Sequence, residues 1–312
     1  GDGKQEVISS DKIYDGITGA DKTPPALSQK PFYAQVGDFN MDKKPDLVLV
    51  QSERGSQIVS VYDYANKATI FGPYRVAEGG WGGPAVVADF DGDKVPDIAV
   101  TGSSTFRVLS LKCWNNPMAK GCEAKGILWS KAVRDTSGAS GPSAFDLNND
   151  GKVDIVYRDE CFLRVLDGPT GKTLFVAPIT SGTVYEYPVV ADVNVDGHAD
   201  VVVPSTMLGC NGEVDKDTGV AWAGPPSQGV MVYRDPMNRW QPSRPLWNEH
   251  AYHVTNVLDD LTIPHSEAPS WNRWNGYRQN EQGIEGRPNG IGDFTAREAP
   301  QQSNQPMACA TA

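Results

Sequence analysis

An all-β fold built from repeated four-stranded antiparallel sheets is predicted by three features of the sequence. The first is a nine-residue stretch, Asp89-Phe90-Asp91-Gly92-Asp93-Lys94-Val95-Pro96-Asp97, whose pattern recurs from Asp38, Asp146 and Asp192, so that the four copies begin 51, 57 and 46 residues apart. The second is the short, β-branched apolar run that follows every copy. The third is a set of turn signals such as Asp167-Gly168-Pro169-Thr170-Gly171, with no helical period between them. Self-similarity near 50 residues, written in short strands, is the pattern of a β-propeller. Dividing about 300 structured residues by that spacing predicts about six blades, within a range of roughly five to seven.

Each unit opens on a Gly/Pro-flanked apolar strand, as in Gly83-Pro84-Ala85-Val86-Val87-Ala88 and Tyr187-Pro188-Val189-Val190-Ala191. The acidic stretch is a loop into the second strand, which reads Leu47-Val48-Leu49-Val50, Ile98-Ala99-Val100, Ile155-Val156-Tyr157 or Val201-Val202-Val203. Such unbroken runs predict strands covered on both faces. Phe162–Leu166 is a third strand, and Lys172–Val176, beyond the turn, is a fourth. Near the beginning, Lys12–Gly19 echoes the segment around Leu166–Gly171, so residues 1–30 read as the end of a unit that completes the last blade. Residues 222–300 depart from the pattern. Gly229–Tyr233 is a strand, but the stretch after Trp247–Val257 carries only Asp259-Asp260 where a loop is due, and it reads as a blade without an ion. The expected division is a propeller over 1–297 and a polar, Pro/Gln-rich tail or linker over 298–312. Gly1-Asp2-Gly3-Lys4 has no apolar signal core, which predicts a processed or excised piece.

The loops carry the chemistry. Each places an acid or amide at positions 1, 3, 5 and 9 and leaves position 7 free in type, as expected where that residue contributes only its backbone carbonyl. The predicted ligand sets are Asp38, Asn40, Asp42, Lys44 and Asp46; Asp89, Asp91, Asp93, Val95 and Asp97; Asp146, Asn148, Asp150, Lys152 and Asp154; and Asp192, Asn194, Asp196, His198 and Asp200. Oxygen-only, carboxylate-rich sets suit Ca²⁺, whereas Mg²⁺ keeps more of its water, so about four Ca²⁺ are expected. An EF-hand is excluded, because its loop closes on a glutamate at position 12 between helices. A filled loop leaves little open coordination, which points to a structural ion rather than a catalytic one.

Thirteen of the 39 acids lie in these loops, so four dications would change the net charge from −11 to −3. An acidic chain argues against nucleic acid as a partner. No run of 18 apolar residues is present, so no membrane span is predicted. Five cysteines point to an oxidising compartment. Cys113 and Cys122 bracket a turn-rich stretch, Cys161 and Cys210 follow equivalent strands of neighbouring units, and Cys309 is left over for a partner outside this sequence. No catalytic set is legible. His250-Ala251-Tyr252-His253 lacks zincin spacing, and there is no nucleophile elbow, phosphate loop or Cys-x-x-Cys.

Gly79-Gly80-Trp81-Gly82-Gly83-Pro84-Ala85-Val86-Val87-Ala88 with its acidic loop resembles the FG-GAP/VCBS repeats of integrin α-subunit propellers and bacterial surface proteins. Gly138–Phe145 is a weaker copy, and Trp247–Val257 is similar to a segment of large bacterial secreted proteins of this class. The resemblance implies that ions sit between a blade's first two strands and stiffen that rim. Loop position 6 is usually Gly in the family. Gly151 and Gly197 conform, while Lys43 and Lys94 do not. A side chain at positive φ costs about 1 kcal/mol, so the first two loops are expected to be looser or reshaped. The functional expectation is a secreted or cell-surface, calcium-binding adhesion or assembly module. Its partner would be a protein, a glycan or further copies of itself. The alternative is a carbohydrate-active propeller, whether lectin, polysaccharide lyase or glycosidase, for which Trp271 and Trp274, within a Trp-rich region, are the candidate ligand-contact aromatics.

Overall fold

β1 (Glu6–Ser9) and β2 (Lys12–Asp15) form a two-stranded antiparallel hairpin, and the rest of the regular structure is four four-stranded sheets. The chain is represented by a computed structural model that describes residues 5–9, 11–27, 32–53, 55–224, 226, 228–282 and 297–298. Sheet one is β3 (Phe32–Gly37), β4 (Asp46–Glu53), β5 (Ser56–Asp63) and β6 (Ala68–Glu78). Sheet two is β7 (Val86–Ala88), β8 (Asp97–Gly102), β9 (Thr105–Leu109) and β10 (Ile127–Ala132), with the short helix α1 (Leu111–Asn115) before its last strand. Sheet three is β11 (Ser143–Phe145), β12 (Asp154–Arg158), β13 (Phe162–Leu166) and β14 (Thr173–Pro178). Sheet four is β15 (Val189–Ala191), β16 (Asp200–Ser205), β17 (Gly229–Arg234) and β18 (Arg297–Glu298). Every neighbouring pair is antiparallel, and each acidic loop joins a sheet's first strand to its second. Glu298, read from the sequence as the start of the tail, is instead in an edge strand opposite Tyr233. Residues 299–312, Cys309 among them, lie outside the described residues.

Period-two alternation explains why the second strands are apolar throughout. On β4, Leu47 and Leu49 point into a core shared with Ile13 and Leu27 of the N-terminal segment, while Val48 and Val50 point into the core between sheets one and two. On β8, Ile98 and Val100 face sheet one and Ala99 faces sheet three, and on β12, Ile155 and Tyr157 face sheet two while Val156 faces sheet four. Each buried valine or leucine contributes about 1.5–3 kcal/mol, so these inter-sheet cores hold the array together. The first strands lie side by side in the order β3, β7, β11, β15.

Two disulfides pin excursions from the sheets. Cys113–Cys122 closes the α1 segment, and Cys161–Cys210 holds residues 210–222 against sheet three, as the cysteine spacing predicted. The second excursion is also anchored by buried Arg164, whose guanidinium pairs with Asp159 at 2.6 Å and Asp215 at 2.7 Å. The double substitution of Cys161 and Cys210 to alanine is expected to remove about 4 kcal/mol, against roughly 2.5 for Cys113 and Cys122, because the longer loop restricts the unfolded chain more. Denaturant titration of both variants measures the difference.

Residues 235–282 do not form the ion-free blade read from the sequence. Among the described residues they contain one 3-10 turn, Ser270–Asn272, and isolated bridges. The last part of this segment crosses the first strand of each sheet in turn. Asn275 bonds Asp38 at the end of β3, Tyr277 bridges Val87, Gln279 bridges Ala144, and Asn280 donates to the Val190 carbonyl. It is a strap along the line of first strands. No helix among the described residues is long and apolar enough to cross a membrane.

Candidate metal centres

All four acidic loops fold into one hydrogen-bond knot. The position-1 carboxylate accepts the N–H groups of positions 5 and 6: Asp42 and Lys43 on Asp38, Asp93 and Lys94 on Asp89, Asp150 and Gly151 on Asp146, Asp196 and Gly197 on Asp192, at 2.8–3.2 Å. The position-3 side-chain oxygens of Asn40, Asp91, Asn148 and Asn194 accept from the position-5 N–H at 3.0–3.2 Å. Position 5 accepts from the backbone N–H of Lys44, Val95, Lys152 or His198, each at 2.9 Å, which fixes position 7 against the loop. Position 9 reaches back to position 2: Asp46 accepts from Phe39, Asp97 from Phe90, Asp154 from Leu147 and Asp200 from Val193, at 2.8–3.2 Å.

This knot needs two left-handed residues. Position 6 has positive φ in every copy, with Lys43 at 66°, Lys94 at 73°, Gly151 at 80° and Gly197 at 89°. The first two loops are therefore not reshaped, and their lysines adopt the turn the glycines adopt. Position 4 is left-handed as well, at Met41, Gly92, Asn149 and Val195. Gly92 and Asn149 are residues that favour this region, but Met41 and Val195 hide the rule in the sequence.

The residues fit a dication. In the second loop, ligand oxygens of Asp89, Asp91 and Asp97 lie within 4.8 Å of one another. In the first loop, the buried Oδ1 of Asp46 has no hydrogen-bond partner. Among the described residues, none of the four position-9 carboxylates is in an ion pair. Burial, followed by the charge of neighbouring acids, pushes Asp46 up to about 7 (Asp63 and Asp38), Asp154 to about 9 (Asp146) and Asp200 to about 6 (Asp196 and Asp192). Asp97 is also driven well above the carboxylate range, chiefly by burial. Buried acids that repel one another and form no direct ion pair are what a bound cation would relieve. Positions 1, 3, 5 and 9 would hold it, and the ion would supply charge neutralisation. The second loop differs, because the ammonium of Lys112 on α1 pairs with Asp91 and lies 3.7 Å from Asp93.

The 235–282 strap clamps the loops, a role with no signature in the sequence. The Asn275 amide accepts from Asp38 N–H at 2.7 Å and donates to its carbonyl at 2.9 Å, and Gln282 makes the same pair with Asp146 at 3.3 and 2.5 Å. At the fourth loop, His198 Nδ1 lies 2.8 Å from the Trp240 carbonyl. Trp271 lies in the 3-10 turn Ser270–Asn272 and Trp274 follows it on the strap. The half-buried Trp271 donates its indole N–H to the Lys43 carbonyl at 3.3 Å, and the Arg273 guanidinium lies 4.6 Å over the Trp274 ring. The exposed tryptophan is Trp81, at 60 %.

No curated protein matches the chain by sequence. Among solved structures it is similar to the V. cholerae biofilm matrix protein Bap1, at 19 % identity and a TM-score of 0.49, covering 87 % of this chain and 46 % of that one. It is also similar to an Agrocybe aegerita lectin described as recognising non-reducing terminal N-acetylglucosamine, at 15 % identity and a TM-score of 0.36, over 75 % of this chain and 60 % of that one. The chain thus spans about half of the first protein and three-fifths of the second. The FG-GAP-like repeat family matches residues 38–100 and 146–203. Each match begins on the first residue of an acidic loop and takes in two loops with their second strands. The chain therefore contains FG-GAP-like repeats over these two stretches.

Proposed function

We propose that this chain is an extracellular calcium-binding β-propeller that serves as a binding or adhesion module, with Ca²⁺ in a structural role. The observation that carries the proposal is the fourfold repetition of one loop geometry whose buried position-9 acid is in no direct ion pair among the described residues. Ring closure is supported by the N-terminal segment. The Gln5 amide, in its bonded orientation, donates to the His265 carbonyl at 3.1 Å and accepts from the Glu267 N–H at 2.8 Å, so the N-terminal segment is tied to the 235–282 segment. That arrangement favours five wedges, the hairpin with residues 265–267 being the fifth. Two disulfides agree with an oxidising, calcium-rich location. The binding role is favoured over the enzyme because the chain's own strap runs along the first strands, where a central funnel would lie.

Retention on immobilised glycans and on immobilised cell-surface protein, measured in about 1 mM Ca²⁺ and in chelator, tests the proposal. Calcium-dependent retention on either surface is expected. Retention equal to an albumin-coated control on both would overturn the binding role.

A further inference from the structure

We propose that Asn211 is a site of spontaneous covalent modification, at which the side-chain amide closes onto the Gly212 nitrogen and is replaced by a mixture of aspartate and isoaspartate. The site needs neither an enzyme nor a bound ion, and it is independent of the calcium and binding readings.

Asn-Gly occurs three times in the sequence, at Asn211-Gly212, Asn275-Gly276 and Asn289-Gly290, and the last pair lies outside the described residues. Glycine has no Cβ, so it leaves its own nitrogen open to attack from the preceding side chain. In the reaction the Gly212 nitrogen attacks Cγ of Asn211. A bond forms between that nitrogen and Cγ, the bond from Cγ to Nδ2 breaks, and Nδ2 leaves as ammonia with the proton that the Gly212 nitrogen gives up. Water then opens the cyclic imide at either carbonyl, giving aspartate by one route and isoaspartate by the other. Nothing is oxidised or reduced, and water is the co-reactant.

The fold presents one pair and guards the other. Asn211 and Gly212 are both exposed, at the centre of a turn closed by the Glu213 N–H on the Cys210 carbonyl at 3.1 Å. Gly212 is left-handed, at φ 83°, and a Cβ built on it would meet nothing within 4 Å. Among the described residues, no hydrogen bond engages the Asn211 amide or the Gly212 N–H. Both reacting groups therefore face solvent without a bond to break first. Asn275 is half-buried and Gly276 is buried. The Asn275 amide accepts from the Asp38 N–H at 2.7 Å and donates to the Asp38 carbonyl at 2.9 Å. Gly276 is crowded as well, since a Cβ there would fall 2.3 Å from Gln279 Oε1 and 3.3 Å from the Val87 carbonyl oxygen. Swinging the Asn275 amide onto Gly276 gives up two hydrogen bonds to backbone, worth at least about tenfold in rate.

Conversion at Asn211 takes the formal net charge from −11 to −12. The new carboxylate arises two residues from Glu213, whose side chain pairs with the Arg134 guanidinium. The isoaspartate form also routes the main chain through Cβ and Cγ and so lengthens the turn. The excursion is held on both sides of the change, by Cys210 in its disulfide and by Asp215 on Arg164 at 2.7 Å.

The test ages the full chain in Ca²⁺ at mildly alkaline pH, which favours the attacking nitrogen anion, and follows the pairs by peptide mapping with mass spectrometry. A second portion is aged unfolded and reduced in guanidinium. In the folded chain Asn211 is expected to gain the mass of an amide-to-acid change at least about tenfold faster than Asn275. Isoaspartate in the Asn211 peptide is expected to be labelled by isoaspartyl methyltransferase. In the unfolded portion the two pairs are expected to convert at similar rates, which assigns the difference to the fold. Asn211→Gln, an exposed substitution, is expected to abolish conversion of its own peptide and to leave the rate at Asn275 unchanged. An intact Asn211 in the folded chain while the unfolded portion converts, or equal rates at the two pairs in the folded chain, would overturn the proposal.

Discussion

In excess EDTA the chain is expected to melt well over 10 °C below its value in about 1 mM Ca²⁺. An ion that binds only the folded state adds about 2.7 kcal/mol per site when it is at roughly 100 times its dissociation constant, so four such sites add on the order of 10 kcal/mol. In a chain of this size each kcal/mol moves the midpoint by about 2 °C. The loss is expected to be cooperative, because each loop joins the first two strands of a sheet and three loops are tied to the strap through Asn275, Gln282 and the Trp240 carbonyl. Asp154→Ala removes one ligand and is expected to lower the melt in Ca²⁺ while shrinking the response to EDTA. It leaves the metal-free form nearly unchanged or steadier, since that buried acid repels Asp146. Differential scanning calorimetry of both proteins with and without chelator reads all four values. An EDTA shift of the same size in both would show that Asp154 is not a ligand.

The second large effect is an inversion of pH dependence. Without an ion, Asp200, Asp46 and Asp154 have their carboxyls raised to about 6, 7 and 9 by burial and by neighbouring acids. A carboxyl whose folded value lies above its unfolded value of about 4 takes up a proton on folding, so stability falls as pH rises between the two. Paired acids such as Asp215 on Arg164 and Asp235 on Arg239 are lowered instead, and their contribution is lost only at pH values below about 4. Between about pH 5 and 8 the raised group dominates. In chelator, the melt is therefore expected to rise by several degrees as pH is lowered from about 8 to 5. In Ca²⁺ the same acids are ionised by the metal, protons compete with it, and the melt is expected to fall over that range. Parallel slopes in the two buffers would contradict the loop assignment.

The repeated aspartates and the apolar runs after them disclosed the loops, the second strands and the sheets, because both patterns are local and dictated by period-two geometry or by ligand spacing. The cysteine pairs were legible for the same reason, each flanking a turn or standing at equivalent places in neighbouring units. What the sequence hid is non-local. Nothing about Asn275 or Gln282 shows that their amides will meet Asp38 and Asp146, more than 130 residues away. Lys112 gave no sign of its pairing with Asp91, since α1 is an excursion from the sheet pattern. The segment after Trp247 misled because it stands where a blade is due and carries an acid pair. The structure spends it instead on crossing the first strands, and this crossing gives Arg278 its burial.

Calcium stoichiometry is the most direct test of the central claim that every acidic loop clasps a dication. Calorimetric titration of chelator-stripped chain, checked by elemental analysis of the dialysed complex, is predicted to give four Ca²⁺ per chain. The weakest is expected at the second loop, where Lys112 must release Asp91. A count of two or fewer would contradict the account.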